Sequence, residues 1–232
     1  VALRNVIDHI ENSDYADRVF GYQLSGLATE EWYHWGRSSS QMNDYSLPMT
    51  LAFRDWLRQR YGSVEKLRES WADSTLEFDV VQIPTKQERL GNRRAMFRDP
   101  VREMNVIDFY SFYNEIIPDT IDYLAGVVKE ATGGKKVVGA FYAFMFEFGG
   151  DPQFGHNALG RLVESENVDF VLVTASYHNR QLASGGDYVR SPAKTVSLHG
   201  KVWYHDNDVA SFLYPIMITR GVPKEHLQWL CL

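Results

Sequence analysis

Lys136-Val-Val-Gly-Ala-Phe-Tyr142, set directly behind the helical stretch 105–131 and its stop at Gly133-Gly134, decides the fold class. In the stretch before it, Val106, Phe109, Tyr110, Tyr113, Ile117, Ile121, Leu124 and Val128 recur at helical spacing, with Pro118 expected to kink or split the helix. The run 136–142 is too apolar to be a surface strand. A helix that feeds straight into a buried strand is the repeating unit of parallel α/β architecture. The same order continues toward the C-terminus. A helix near 156–165 leads to the strand Val168-Asp-Phe-Val-Leu-Val-Thr174, and a glycine-bearing loop (175–197) leads to the strand Gly200-Lys-Val-Trp-Tyr-His205. The tail 209–232 reads as helical stretches, the last starting near Pro223.

Toward the N-terminus, residues 1–12 read as a helix and Arg18-Val-Phe-Gly-Tyr-Gln-Leu24 as another buried strand. Between that strand and the one at 136 lie residues 32–136, a mostly helical excursion. Ser46-Leu47-Pro48 starts its first helix, with a capping serine and a first-turn proline, and Gly62 stops it. Ser63 restarts a shorter helix through Leu67 and Trp71, and 74–104 reads as loop with short helix. An eight-fold barrel needs about 250 residues. With four good strands and so long an excursion, 232 residues are expected to make an incomplete barrel, a single domain resembling half of one. Val1 opens inside an amphipathic pattern, so a truncated or processed end is expected there.

Composition narrows the function. The net charge of −6 argues against nucleic acid or an anionic membrane as the main partner. No apolar run approaches the roughly 18 residues of a membrane span. One cysteine, Cys231, excludes an internal disulfide framework and a thiolate metal cluster, and leaves the cellular location open between cytoplasm and secretion. The aromatic share of 14%, with six Trp and thirteen Tyr, is the informative excess, because flat, half-wet rings stack on sugars.

A parallel α/β protein places its site at the carboxyl ends of its strands. Here the first strand ends in Gln23, Ser25, Thr29, Glu30, Glu31 and Trp32, and the second in Tyr142, Phe144, Phe146 and Glu147. The third ends in Ser176, Tyr177, His178 and Arg180, and the fourth, which carries Trp203, in His205, Asp206, Asn207 and Asp208. Carboxylates after the outer strands and aromatics after the middle two are the parts of a glycoside-cleaving cleft. One carboxyl protonates the leaving oxygen, and the other attacks the anomeric carbon or activates water. Each part also has a plain structural reading. Glu30 or Glu31 can cap a helix, and Asp206 and Asp208 can form a turn or bind a hard cation. No third carboxylate stands nearby and the histidines (His34, His178, His199, His205) lack ligand spacing, so no metal and no cofactor is expected. Trp56 and Trp71 lie at helical spacing and read as core. Gly149-Gly150 and Gly185-Gly186 lack the phosphate-loop pattern, and Ser25 lacks a nucleophile elbow.

Gly21-Tyr22-Gln23 with Gly26, Thr29 and Glu31-Trp32 resembles the fourth strand of clan A glycoside hydrolases, specifically β-galactosidase-like proteins related to family 42. The segment 53–71 is similar to the helical excursion those enzymes carry after their acid/base strand. Ser176-Tyr177, Arg180, Gly185-Gly186, Arg190-Ser191-Pro192 and His199-Gly200-Lys201 resemble their sixth-to-seventh strand segment. The resemblance implies a partial (β/α)8 barrel covering roughly strands 4 to 7 and a retaining hydrolase of β-linked sugars. Glu31 would be its general acid/base, and Asp206 would occupy the nucleophile position. Gln23, Trp32, Tyr142, Tyr177, Arg180, Trp203 and Asp208 would contact substrate. Two positions depart from the pattern: the family has Glu where Asp206 stands, and Asn where Glu30 stands.

Three functions therefore stand side by side: a glycosidase, a non-catalytic sugar-binding or scaffolding derivative of one, and a fragment whose missing strands come from a longer polypeptide or from other copies of the chain.

Overall fold

A computed structural model of the protein describes residues 1–36, 42–90, 97–146, 151–174 and 189–206. The chain divides into two compact units, one made of residues 1–24, 121–149 and 163–232, the other of 25–120 and 150–162. The helix α5 (Met104–Ala131) contributes to both, its first part to the second unit and its last part to the first.

The first unit holds a four-stranded parallel sheet in the order β1 (Gly21–Leu24), β2 (Val137–Phe141), β3 (Phe170–Thr174), β4 (Val202–Asp206). Register and the period-2 pleat sort its side chains into two faces. Leu24, Ala140, Val171 and Trp203 lie on one rung, and the first three are buried. With Ile7 of α1 (Ala2–Glu11) and with Ile121, Ala125 and Val128 of α5, they belong to the unit's buried hydrophobic residues. Gln23, Gly139, Phe170 and Val202 share the opposite face. Gly139 is required there, since a Cβ would lie 2.2 Å from the Phe170 carbonyl oxygen. Asp169 fixes the entry to β3: it pairs with Lys129 at 2.6 Å and accepts the Val138 amide at 2.7 Å.

The second unit gathers the helical excursion. Its helices are α2 (Leu47–Tyr61), α3 (Val64–Trp71), α4 (Lys86–Leu90), the first part of α5 and most of α6 (Leu159–Glu164). Ser46 caps α2 by accepting the Met49 amide, Ser63 caps α3 through Lys66, and Gly62 ends α2, as the sequence predicts. Phe53, Leu57, Leu67, Phe109, Phe112 and Tyr113 form the core, with Trp56 and Trp71 packed on it. Inside this apolar cluster Asp108 is fully buried. It accepts from Tyr61 Oη and from Trp71 Nε1 at 2.7 Å, and pairs with Arg60 at 3.1 Å.

The sequence-level elements shift in a few places. A 3₁₀ turn at Ala16–Arg18 delays β1 to Gly21. α5 runs unbroken through Pro118. α6 begins three residues late, and α7 (Ala193–Leu198) occupies part of the stretch expected to be loop. Six residues are too few to show helical periodicity. The tail 209–232 lies outside the described residues. Among the described residues no helix is long and apolar enough to cross a membrane.

Candidate active site

The chain leaves β1 into a tight loop whose backbone is unusual for its sequence. Leu27, Thr29, Glu30 and Trp32 all take left-handed conformations, with φ between 59° and 65°. Each such non-glycine residue costs on the order of 1 kcal/mol, so the loop persists only because other contacts over-determine it. Those contacts are present. The Trp32 amide donates to the Gly26 carbonyl at 3.0 Å and the Ala28 amide to the Tyr33 carbonyl at 2.9 Å. The buried Trp32 ring packs against Gly26, where a Cβ would meet it at 2.9 Å. The loop treats its two adjacent glutamates differently. Glu30 is exposed, while Glu31 is half-buried with Oε2 3.0 Å from Thr29 Oγ1. The loop thus fixes the position of the Glu31 carboxyl and leaves that of Glu30 in solvent.

At the carboxyl end of the sheet, Asp206 is the last residue of β4, in register with Thr174. By alternation Asp206 shares its face with Tyr204, Val202 and, across the sheet, the exposed Gln23. Trp203 stands on the other face, where its Nε1 donates to Ser191 Oγ at 2.8 Å and its ring stacks with His205. Tyr142 has no exposed surface. The first unit thus brings Gln23 and Asp206 to one face and sets Trp203 and Tyr142 into its packing. Tyr177, Arg180 and Asp208 lie outside the described residues.

Sequence reasoning gave no role to Arg190, which the structure sets at this end of the sheet. It is buried, donates to Thr174 Oγ1 and lies 4.7 Å from the centroid of the Phe144 ring. Its motif was visible in the sequence, but a buried arginine leaves no periodic trace.

In the second unit His34 is buried against Tyr113, with ring centroids 3.6 Å apart, and its Nε2 donates to the Tyr113 carbonyl at 2.7 Å. Burial, reinforced by the charge of Arg89, pushes its pKa down to about 4, so the ring is neutral at pH 7. Arg89 is itself buried among Phe109, Tyr110 and Tyr113 and donates to the Asn43 carbonyl at 2.6 Å. Among the described residues no three His, Cys, Asp or Glu side chains gather as metal ligands would.

Residues 35–183 match the model of a glycoside hydrolase family, family 42, described as Beta-galactosidase. No curated protein matches the chain. Among solved structures, the catalytic domain of the beta-amylase from Paenibacillus polymyxa is 15% identical, with a TM-score of 0.64, over 90% of this chain and 55% of that one. A beta-galactosidase from the Antarctic haloarchaeon Halorubrum lacusprofundi is 18% identical, with a TM-score of 0.50, over 83% of this chain and 25% of that one. These likenesses show the fold: the parallel sheet and its helices are part of a TIM-type barrel, as the resemblance implied. The chain spans about half the length of the first structure and a quarter of the second.

Proposed function

Because the chain belongs to the beta-galactosidase family of glycoside hydrolases, whose model covers its residues 35–183, we propose that it carries the catalytic half-site of a retaining glycosidase acting on β-linked sugars. Glu31 is its general acid/base and Asp206 the nucleophile. One observation supports this most: the loop after β1 holds Glu31 half-buried against Thr29 and leaves its neighbour Glu30 in solvent. The contact with Thr29 fixes where the Glu31 carboxyl stands, and a general acid acts from a fixed position.

In this reading Glu31 protonates the glycosidic oxygen as the bond to the anomeric carbon breaks. Asp206 attacks that carbon and forms a glycosyl ester. Glu31, now a carboxylate, takes a proton from water, which displaces Asp206 and returns the anomeric configuration to its starting hand. Gln23, on the face of the sheet that Asp206 occupies, serves the sugar hydroxyls, as do Tyr177, Arg180 and Asp208. Aspartate is shorter than the family's glutamate by one carbon–carbon bond, about 1.5 Å. That shortening favours, as the second reading, a sugar-binding derivative that has lost turnover.

Hydrolysis of a chromogenic β-galactoside and of lactose by the chain and its variants separates the two. Glu31→Gln is expected to lower kcat/KM on lactose by roughly 10²–10⁴ while sparing Kd. Asp206→Asn is expected to abolish turnover, and NMR of the first product to show retained configuration. Undiminished hydrolysis by Glu31→Gln overturns the assignment. Lactose binding without turnover selects the second reading.

A further inference from the structure

The loop after β1 is closed on itself by its backbone, Gly26 bridging to Glu31 and Ala28 to Tyr33, and the next residue, His34, ties it to the rest of the second unit. Three bonds or contacts meet there. The His34 ring stacks on Tyr113 of α5 with centroids 3.6 Å apart, its Nε2 donates to the Tyr113 carbonyl at 2.7 Å, and its amide donates to the Phe154 carbonyl at 3.3 Å. Gly155, at φ 87°, makes the room, since a Cβ there would lie 2.6 Å from His34 Cδ2. We infer that His34 is the positioning residue of the Glu31 loop and an acid-sensitive pin, which holds the loop on α5 while neutral and releases it on taking a proton; that the pin serves catalysis rests on Glu31 being the general acid.

The surroundings of the ring make the pin sensitive to charge. His34 is buried, so a protonated ring there is stripped of its hydration. The ionisable groups packed around it do not repay that loss. On α5 the Tyr113 hydroxyl is neutral, its pKa raised by burial. Arg89 of α4 sits 5.5 Å from the centroid of the same Tyr113 ring and repels a second cation; Asp44, ahead of α2, attracts one but is outweighed. In the segment 151–157, Phe154 and Gly155 carry no charge and His156 stacks on Tyr33. A released imidazole in water titrates near 6.5, so acid favours the state in which the ring is out. The loop is also built to yield first. Its four left-handed residues, Leu27, Thr29, Glu30 and Trp32, hold backbone strain that release relieves, whereas the buried apolar face of α5 gains nothing by opening.

Hydrogen exchange tests the pin without any turnover. The amides of Ala28, Trp32 and His34 bond to Tyr33, Gly26 and Phe154 and report the closed loop. Between pH 7 and 5 their protection factors, corrected for intrinsic exchange, are expected to fall about twentyfold, as a folded pKa of about 4 against a released value near 6.5 requires, while amides in the middle of α5 keep theirs. His34→Gln keeps an N–H for the Tyr113 carbonyl and takes no proton, so it is expected to abolish the fall; His156→Gln, at the same junction, is expected to leave it. A fall that persists in His34→Gln, vanishes in His156→Gln or spreads equally over α5 overturns the pin. On lactose, His34→Ala is expected to lower kcat roughly 10- to 100-fold with KM little changed, and His34→Gln to restore most of it. A raised KM at unchanged kcat overturns the positioning role. Failure of the catalytic reading looks different: no chain turns lactose over, yet the exchange pattern holds.

Discussion

Asp108 is where a single side chain decides most in the second unit. It is fully buried in an aromatic cluster, and its carboxylate accepts from both Tyr61 Oη and Trp71 Nε1 while Arg60 supplies the countercharge. Removing the acceptor leaves the half-buried Trp71 N–H without it and Tyr61 Oη with Ser70 Oγ as its remaining partner, and each bond lost costs roughly 1–3 kcal/mol. Asp108→Ala is therefore expected to lose about 3 kcal/mol in urea denaturation, and Asp108→Asn less, since its amide oxygen still accepts. Equal stability of Asp108→Ala and the unaltered chain refutes this account. The sequence shows Tyr61 and Trp71 only as apolar-face residues. A carboxylate at the right place in a helical period is indistinguishable from a surface charge until its partners are known. Glu30 and Glu31 pose the same difficulty. Their spacing allowed either to be the acid, and what separates them is a loop in which four non-glycine residues, Leu27, Thr29, Glu30 and Trp32, are left-handed.

At the level of elements, signals written in one or two residues were legible and those needing tertiary context were not. The caps Ser46 and Ser63 and the stop at Gly62 set α2 and α3 directly. α5 runs through Pro118 although that residue offers no N–H to the Asn114 carbonyl, because packing of Tyr113, Ile117 and Ile121 on either side outweighs one lost bond. The same helix lends its Tyr113 carbonyl to His34. Burial of the His34 ring, not the bond, makes stability pH-dependent. The folded pKa of about 4 lies below the unfolded value near 6.5, so between these the unfolded chain binds more protons, and stability falls as pH drops through that window. At pH 7 and above the contribution is complete; by pH 4 about 3 kcal/mol is lost. His34→Gln is expected to be less stable at pH 7 and to show a flatter dependence between pH 6.5 and 4 in thermal melts. An unchanged slope in the variant means His34 is not the group responsible.

For the whole molecule, the order of helices and buried strands was enough to identify a parallel sheet and part of a barrel, because apolar strand runs and chain arithmetic are properties of sequence alone. Which faces of the sheet meet the site was not legible: Trp203 and Asp206 are three residues apart and stand on opposite faces, a distinction set by register. The same register exposes a consequence for the isolated chain. Among the described residues β1 and β4 are each paired on one side only, by β2 and β3. Parallel sheets in barrels are closed, and a sheet edge left open recruits another strand. β4 also displays Val202, 50% exposed, and Tyr204, 43% exposed, on one face. The 232-residue chain is therefore expected to associate in sedimentation velocity as its concentration rises through the micromolar range, and Val202→Lys, a charge placed on the edge strand, to reduce that association. Hydrogen exchange supplies the complementary reading, since β4 amides are expected to gain protection with concentration in the unaltered chain and not in the variant. A chain that stays monomeric throughout, with β4 amides protected at every concentration, overturns this, and the edge is then covered by the chain itself.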